Sequence, residues 1–393
     1  MASEKKTPST LETIQTVSKM QEDLIPVPKV APASPKKGIL SKGWNVFTVK
    51  NAIIVAFLLV AFSVVQTLRW LGWISGPLDD ALALICVYIV LGVSLNLITG
   101  FTGQFSLGHA GFMAIGAYTT AILMPHLPPP LTLALPFATI TIPSILIGIL
   151  PGALLAMLLG VIIGLPTLRL KGDYLAIATL GMAEIIRVVF MNLEITGGAA
   201  GLFNFTRAAT FPVLFIVMVI SVVVIYNFIR SSRGRACIAI REDEIAAESM
   251  GINSTKYKVM AFALGAFFGG IGGGLYSSYF YVLKPGTFSF LMSVNILVIV
   301  VFGGLGSISG SVVSAIVITA ITQYFTTANA LNVFGLFSIE FSRVNNIIYA
   351  LLLIAIMLFR PQGLMGTMEI NDLIMKAWGA IKRPFQRGNK QAG

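Results

Sequence analysis

Charge is what this sequence lacks most. Only 11% of its 393 residues are Asp, Glu, Lys or Arg, whereas 56% are hydrophobic. Soluble domains carry about 25% charged residues, so a water-soluble globular fold is excluded. Thiols and imidazoles are as scarce, at 2 Cys and 2 His, which leaves no disulfide framework and no metal-ligand cluster. Cys86 lies in an apolar stretch and reads as a buried structural thiol. No G-x-x-x-x-G-K-[ST] pattern is present, so the chain has no loop of the usual kind for nucleotide phosphates. No nucleophile stands with a base in a recognisable set, and no catalytic residue is assigned. Energy for any work must come from an ion gradient or from another subunit.

Long apolar runs are abundant instead. Stretches able to cross roughly 30 Å of hydrocarbon fall near 47–68, 78–98, 105–124, 142–164, 173–192, 211–230, 258–281, 288–305, 309–327 and 344–360. The expected fold is therefore all-α, a polytopic transmembrane helical bundle of about ten spans with a cytoplasmic N-terminus. Pro136, Pro143 and Pro151 interrupt the overlong stretch Leu131–Leu165, where an extra short or interfacial helix before residue 142 is expected. Residues 1–45, broken by Pro26, Pro28, Pro32 and Pro35, read as a disordered cytoplasmic tail, and the first apolar run comes too late for a secretory signal. Residues 46–360 read as the membrane-spanning domain. The C-terminal residues 361–393 read as a cytoplasmic or interfacial tail, with Ile370, Ile374, Trp378 and Ile381 at helical spacing.

The net charge of +11 follows this topology. Basic residues crowd the segments that the spans place inside: the N-terminal tail, Arg169 and Lys171, the run from Arg230 to Lys258, and the C-terminal tail. The outer segments hold only Arg69, Arg207, Lys284 and Arg343. That asymmetry obeys the positive-inside rule loop by loop, so no nucleic-acid partner is needed to explain it.

Two apolar segments are interrupted in a similar way. SLNLITGFTGQFSLGHAGFMAIGAY (Ser94–Tyr118) and SVNILVIVVFGGLGSISGS (Ser293–Ser311) each begin Ser-x-Asn, then reach a cluster of Gly and hydroxyl residues. A helix broken at membrane depth leaves backbone groups that only protein or a watery cavity can satisfy. Paired interruptions are the best sequence pointer to a transporter's substrate site. Asn96, Gln104, Ser106, His109, Asn295 and Ser307 are thus substrate-path candidates, with interhelical hydrogen bonding as the structural alternative for each. His109 has no second His and no acidic neighbour in sequence, which favours a neutral, satisfied imidazole over a proton carrier. Glu184 and Arg187, three apart on one helix face, read as a structural ion pair buried between helices. Gly265, Gly269 and Gly273 give overlapping G-x-x-x-G spacings suited to close helix packing. The outer loop TGGAAG (Thr196–Gly201) reads as either a partner contact or a turn.

One stretch is polar for nearly its whole length: RSSRGRACIAIREDEIAAESMGINSTKYK, from Arg230 to Lys258. Its central part, Ile240–Met250, reads as one short amphipathic helix. Glu242, Asp243 and Glu244 load the first turn and Gly251 stands in the terminating position. An exposed cytoplasmic helix of this kind needs a partner.

Taken together, LNLITGFTGQFSLGHAGFMAIGAYTTAIL, LRLKGDYLAIATLGMAEIIRVVF, AIREDEIAAESMGINSTKYKVMAFALGAFFGGIGGGLY and FGGLGSISGS resemble the LivM-type permeases of branched-chain amino acid ABC importers, over roughly residues 78–365. The resemblance implies a non-catalytic permease in a bacterial cytoplasmic (inner) membrane. Its implied partners are a homologous LivH-like permease, two ATP-binding cassette ATPases and an extracytoplasmic substrate-binding protein. ATP and Mg would be used by the ATPases, and no cofactor would be bound by this chain. The polar loop, residues 231–257, would hold the coupling helix, with Arg241, Glu244, Ala246, Ala247 and Gly251 as the coupling residues. ATP-driven rocking of the bundle would then give alternating access to branched-chain amino acids. The tail of about 45 residues and the Ser-rich form of GSISGS depart from the family pattern.

Three other readings compete. A relative within the superfamily would carry urea, short amides or another small polar solute. An ion-driven secondary carrier would use His109 and the Glu184–Arg187 pair, and a third class is a passive channel. Neither of the last two has any need for a docking helix in the polar loop.

Overall fold

The computed structural model describes residues 60, 62–73, 76–126, 131–135, 138–142, 144–170, 172–203, 209–327, 331–333, 337–339, 363, 364 and 366. The chain divides into two units, Met1–Thr67 and Leu68–Gly393. In the first, residues 60 and 62–67 are helical, and the Thr67 hydroxyl donates to Ser63 O at 2.7 Å. Most of the span expected at 47–68, all of that at 344–360 and nearly all of both tails lie outside the described residues.

The second unit is helical. Helix α1 (Pro77–Asn96) passes into a π-helical turn, Leu97–Phe101, and α2 (His109–Leu123) follows after a non-helical stretch. Next come α3 (Ser144–Thr167), α4 (Asp173–Asn192), α5 (Phe211–Arg230), α6 (Ser232–Glu242), α7 (Glu244–Ser249) and α8 (Ser254–Tyr279). The pair α9 (Phe290–Gly303) and α10 (Ile308–Thr327) closes the described bundle. Five segments are long and apolar enough to cross a membrane: Pro77–Phe101, Ile145–Thr167, Asp173–Asn192, Phe211–Arg230 and Ser254–Tyr279. The chain is thus a multi-pass membrane protein.

Short antiparallel pairs are the minor component. Strands β1 (Leu131–Leu135) and β2 (Ala138–Ile142) pair from Leu131↔Ile142 to Leu135↔Ala138. This hairpin replaces the extra helix expected before residue 142. Thr132, Thr139, Ile140, Thr141 and Ile142 are β-branched, and such side chains fit a pleated ribbon better than a helical turn. Strand β3 (Leu202–Phe203) pairs with β4 (Val282–Leu283), and β5 (Leu331–Val333) pairs with β6 (Phe337–Ile339).

Helix α8 is the centre of the bundle. In α1 and α8, 78% and 72% of the apolar window is buried, against 22% in α4, which therefore lies at the periphery. Lipid tails are as apolar as leucine, so burial alone cannot hold helices together in a membrane; close packing must. Gly265 of α8 lies against Ile98 and Gly272 against Leu91 of α1, Gly273 against Met113 of α2, and Gly270 against Ala153 and Ala156 of α3. The small stripe lets three neighbours approach one backbone at once. Phe112 and Phe262 meet edge-on at 5.5 Å in a buried cluster, with Ile98, Ile115, Ile163 and Leu168 around them.

The contacts sort the connections into two ends. At one end, the Arg69 Nε and Asp79 Oδ1 pair at 2.7 Å, Tyr279 donates to Asp79 Oδ2 at 3.1 Å, and Tyr118 donates to Leu283 O at 3.3 Å. At the other end lie the α3–α4 turn with Arg169, the segment α6–α7, and the stretches 97–108 and 304–307. This second end carries Arg230, Arg233, Arg235, Lys256 and Lys258, and the positive-inside rule assigns it to the cytoplasm.

Candidate functional site

Both interruptions fall at the basic end, and they touch. The span expected at 105–124 does not run helically from residue 105. Gly103 takes φ +70° and residues 103–108 are non-helical, so α2 starts only at His109. The second interruption is tighter: Gly304 and Gly306 take φ of +109° and +86°, conformations that side chains disfavour, and α10 starts at Ile308.

Asn96 joins the two. Its Oδ1 accepts from Gly306 N at 2.9 Å, while its Nδ2 donates to Ser307 O and to Ser311 Oγ, each at 2.8 Å. A side chain from the end of α1 thereby satisfies backbone groups that the break before α10 exposes. Ser307 is buried; its Oγ accepts from Gly310 N at 3.0 Å and so caps the start of α10.

The other path candidates scatter around this joint. Gln104 donates through Nε2 to Lys258 O at 3.3 Å, and its buried Oε1 has no hydrogen-bond partner among the described residues. Ser106 Oγ accepts from Gly108 N at 3.4 Å. Asn295 is half-buried on α9. His109 lies deeper, with Nε2 2.8 Å from Ser94 Oγ. The Ser94 hydroxyl gives its single proton to Leu91 O at 2.9 Å, so Nε2 must carry the imidazole hydrogen. Nδ1 is then an acceptor, buried and without a partner among the described residues. The imidazole is satisfied on one side only.

Sequence reasoning missed Ser94, Ser293, Thr179 and Ser311 as partners of these groups. Ser293 Oγ accepts from Ala110 N at 3.1 Å and Thr179 Oγ1 from Leu107 N at 3.1 Å, so both support the irregular start of α2. A buried hydroxyl in an apolar helix was the available signal. None of the six candidates lines the apolar cleft of about 350 Å³ between α2, α3 and α4, whose walls include Tyr118, Leu155, Leu159 and Phe190.

The ion pair forms within α4, where Arg187 Nε donates to Glu184 Oε1 at 2.8 Å. It is not buried between helices of this chain: the two side chains are 44% and 22% exposed, on the outer face of the least buried span. Glu184 is eleven residues along α4, roughly 17 Å from its start, which is near mid-depth.

The polar run is two helices, not one. Asp243 leaves the helical conformation (φ −156°, ψ 110°) and its Oδ1 accepts from Ile245 N at 2.9 Å and Ala246 N at 3.0 Å. An aspartate caps a helix N-terminus well, and here it ends α6 and starts α7. Gly251, at φ +82°, ends α7: its N–H donates to Glu248 O at 2.9 Å and that of Ile252 to Ala247 O at 3.1 Å.

The five expected coupling residues divide between two faces. Ala246 and Gly251 are at the surface, beside Ile245 and Met250, which are 77% and 83% exposed. Ala247 is buried, and Glu244 turns back to pair with Lys258 Nζ at 2.6 Å. Arg241 also turns inward, donating through Nη1 to Gly100 O at 2.7 Å. Beside them Cys237 is buried, and burial pushes its thiol up to about 11. At pH 7.5 only about one thiol in 3,000 is then the reactive thiolate. Maleimide labelling of Cys237 in the folded chain should be at least about 100-fold slower than after denaturation, measured by mass shift. Among the described residues no three His, Cys, Asp or Glu side chains gather as a metal site.

Comparison with known proteins identifies the family. The family model described as branched-chain amino acid transport system / permease component matches residues 78–358. The high-affinity branched-chain amino acid transport system permease protein LivM of Escherichia coli K12 is 32% identical over 353 residues, covering 81% of this chain and 76% of the relative. The probable LivM of Methanocaldococcus jannaschii is 27% identical, covering 74% and 93%. The LivH permease of Escherichia coli K12 matches at 28% over 173 residues, or 43% of this chain and 52% of its own. No solved structure matches the chain. With a family match across most of its length and a broken-helix membrane bundle to fit it, the chain belongs to the branched-chain amino acid transport permease family and is LivM-like.

Proposed function

We propose that this chain is one of two homologous permease subunits of an ATP-driven importer in a bacterial inner membrane, carrying branched-chain amino acids by alternating access. Two ATPase subunits would dock on the basic end, and an extracytoplasmic binding protein would deliver substrate at the other. The observation that carries the reading is the exposed face of α7. Ile245 and Met250 project from an otherwise polar segment that is capped at both ends and therefore rigid. Large apolar side chains held on a stiff, exposed turn suit insertion into a groove of a partner.

The exposed Glu184–Arg187 pair supports a second protein neighbour. Hydrocarbon solvates an ion pair near mid-depth poorly, and the other outward residues there are aliphatic, such as Leu154 and Leu158 of α3, Ile220 and Val224 of α5, and Ile185 of α4 itself. We place the homologous permease on the α4 flank.

The test is uptake of leucine into proteoliposomes holding the chain with and without the other permease, the ATPases and the binding protein. Uptake should require all of them and ATP; gradient-driven uptake by the chain alone would overturn the reading. Gly251→Pro should lower ATP-driven uptake by about 10-fold or more while the amount of chain in the membrane is unchanged. Proline holds φ near −65° and has no N–H, so the end of α7 unravels. Uptake normalised to immunoblotted protein checks this.

A further inference from the structure

Arg241 stands in the segment that faces the cytoplasm, yet its side chain points into the bundle. Nη1 donates to Gly100 O, which belongs to the π-helical turn at the first interruption. Nε donates to Glu242 Oε1 at 3.0 Å, and Nη2 to the same oxygen, so the guanidinium is gripped from its own helix as well. The second interruption passes just as close. A Cβ added to Gly306 would stand 2.8 Å from Nη1, and one added to Gly103 would stand 3.0 Å from Arg241 Cγ. The side chain therefore passes closely against both glycines, where an added Cβ would crowd it.

These contacts stack on those of Asn96. Asn96 holds Gly306 N and Ser307 O from the bundle side, and Arg241 holds Gly100 O from the cytoplasmic side. The ends of α1 and α9 and the end of α6 thus meet at one joint. A planar fork can hold a carbonyl and a carboxylate at once, which a lysine ammonium does less well.

We propose that Arg241 is a positioning residue: it ties the docking segment to both interrupted helices, so that displacement of α6–α7 moves the two breaks as one body. The inference rests on the reading that α7 docks on an ATPase. It adds that Arg241 itself makes no part of that docking surface.

The experiment uses the complete complex in proteoliposomes and reads leucine taken up per ATP hydrolysed. Arg241→Ala should keep the ATPases in the purified complex and continue to hydrolyse ATP, while the ratio falls at least 10-fold. Arg241→Lys should fall in between. A second readout is the cytoplasmic reactivity of Leu305→Cys, an exposed site on the second break, toward a membrane-impermeant thiol reagent. In the parent background that reactivity should differ between resting and vanadate-trapped complexes, and in Arg241→Ala the difference should vanish.

An uptake ratio within 2-fold of the parent, or an unaltered Leu305→Cys difference, overturns the proposal while leaving the docking reading intact. Loss of the ATPases from the Arg241→Ala complex also overturns it, by making Arg241 a docking residue. If the alanine variant does not reach the membrane, Arg241→Lys decides alone, and full coupling there sinks the idea. Failure of the unmodified chain to retain ATPases is a different result, and it strikes the docking reading instead.

Discussion

Asn96→Ala should lower uptake by about 100-fold and depress the thermal midpoint of the detergent-solubilised chain. The substitution leaves the half-buried Gly306 N–H without its acceptor and removes donors from Ser307 O and Ser311 Oγ. Ser311 Oγ still donates to Ser307 O at 3.1 Å, so that carbonyl keeps one partner. An abandoned buried donor costs about 1–3 kcal/mol, and about 3 kcal/mol against the joined state is a factor of about 100. Asn96→Asp separates the contributions. It keeps an acceptor for Gly306 N–H but loses both donors and buries a charge, so it should be no better than alanine. Uptake within 2-fold of the parent in Asn96→Ala would show that the two interruptions need no such joint.

The second large effect concerns folding. Gly273→Val should yield little or no folded chain from membranes. A Cβ at Gly273 would collide with the carbonyl oxygen of Met113 and stand 2.9 Å from Ala117 N, both backbone atoms of α2 that cannot step aside. Overpacking commonly costs about 1–3 kcal/mol when side chains can shift, and more when backbone must. The contrast is Gly286→Ala, where nothing lies within 4 Å and φ is ordinary, so recovery should be unchanged. Size-exclusion profiles of the two variants in detergent measure this directly, and a normal monodisperse peak for Gly273→Val would contradict the packing.

These two positions show what a sequence of this kind discloses. Spans were legible because twenty or so apolar residues have few alternatives in a bilayer, and the stripe of glycines in α8 announced close packing. The stop at Gly251 was legible as well, since glycine after an amphipathic turn marks a helix end. What could not be seen was which groups meet across great distances in the chain. Asn96 and Gly306 lie 210 residues apart, and no local pattern couples them. The single helix expected over Ile240–Met250 failed because its apolar spacing continues smoothly through Asp243, whose side chain prefers to cap. The resemblance puts Arg241 among the coupling residues, but its long side chain reaches inward to Gly100 O. The ion pair forms as its spacing indicates, but nothing in that spacing shows which side of α4 the two residues occupy.

The proposed coupling turns on a rigid cytoplasmic turn through which another protein would drive the breaks in the bundle. The most direct measurement introduces Met250→Cys, with Cys86 and Cys237 buried as native background, and scans for disulfide cross-links to single cysteines on the ATPase surface in the assembled complex. The expected result is efficient cross-linking to one groove of the ATPase and suppression of ATP-driven uptake that a reductant restores. Labelling of that cysteine from the extracytoplasmic side, or no cross-link anywhere on the ATPase, would contradict it.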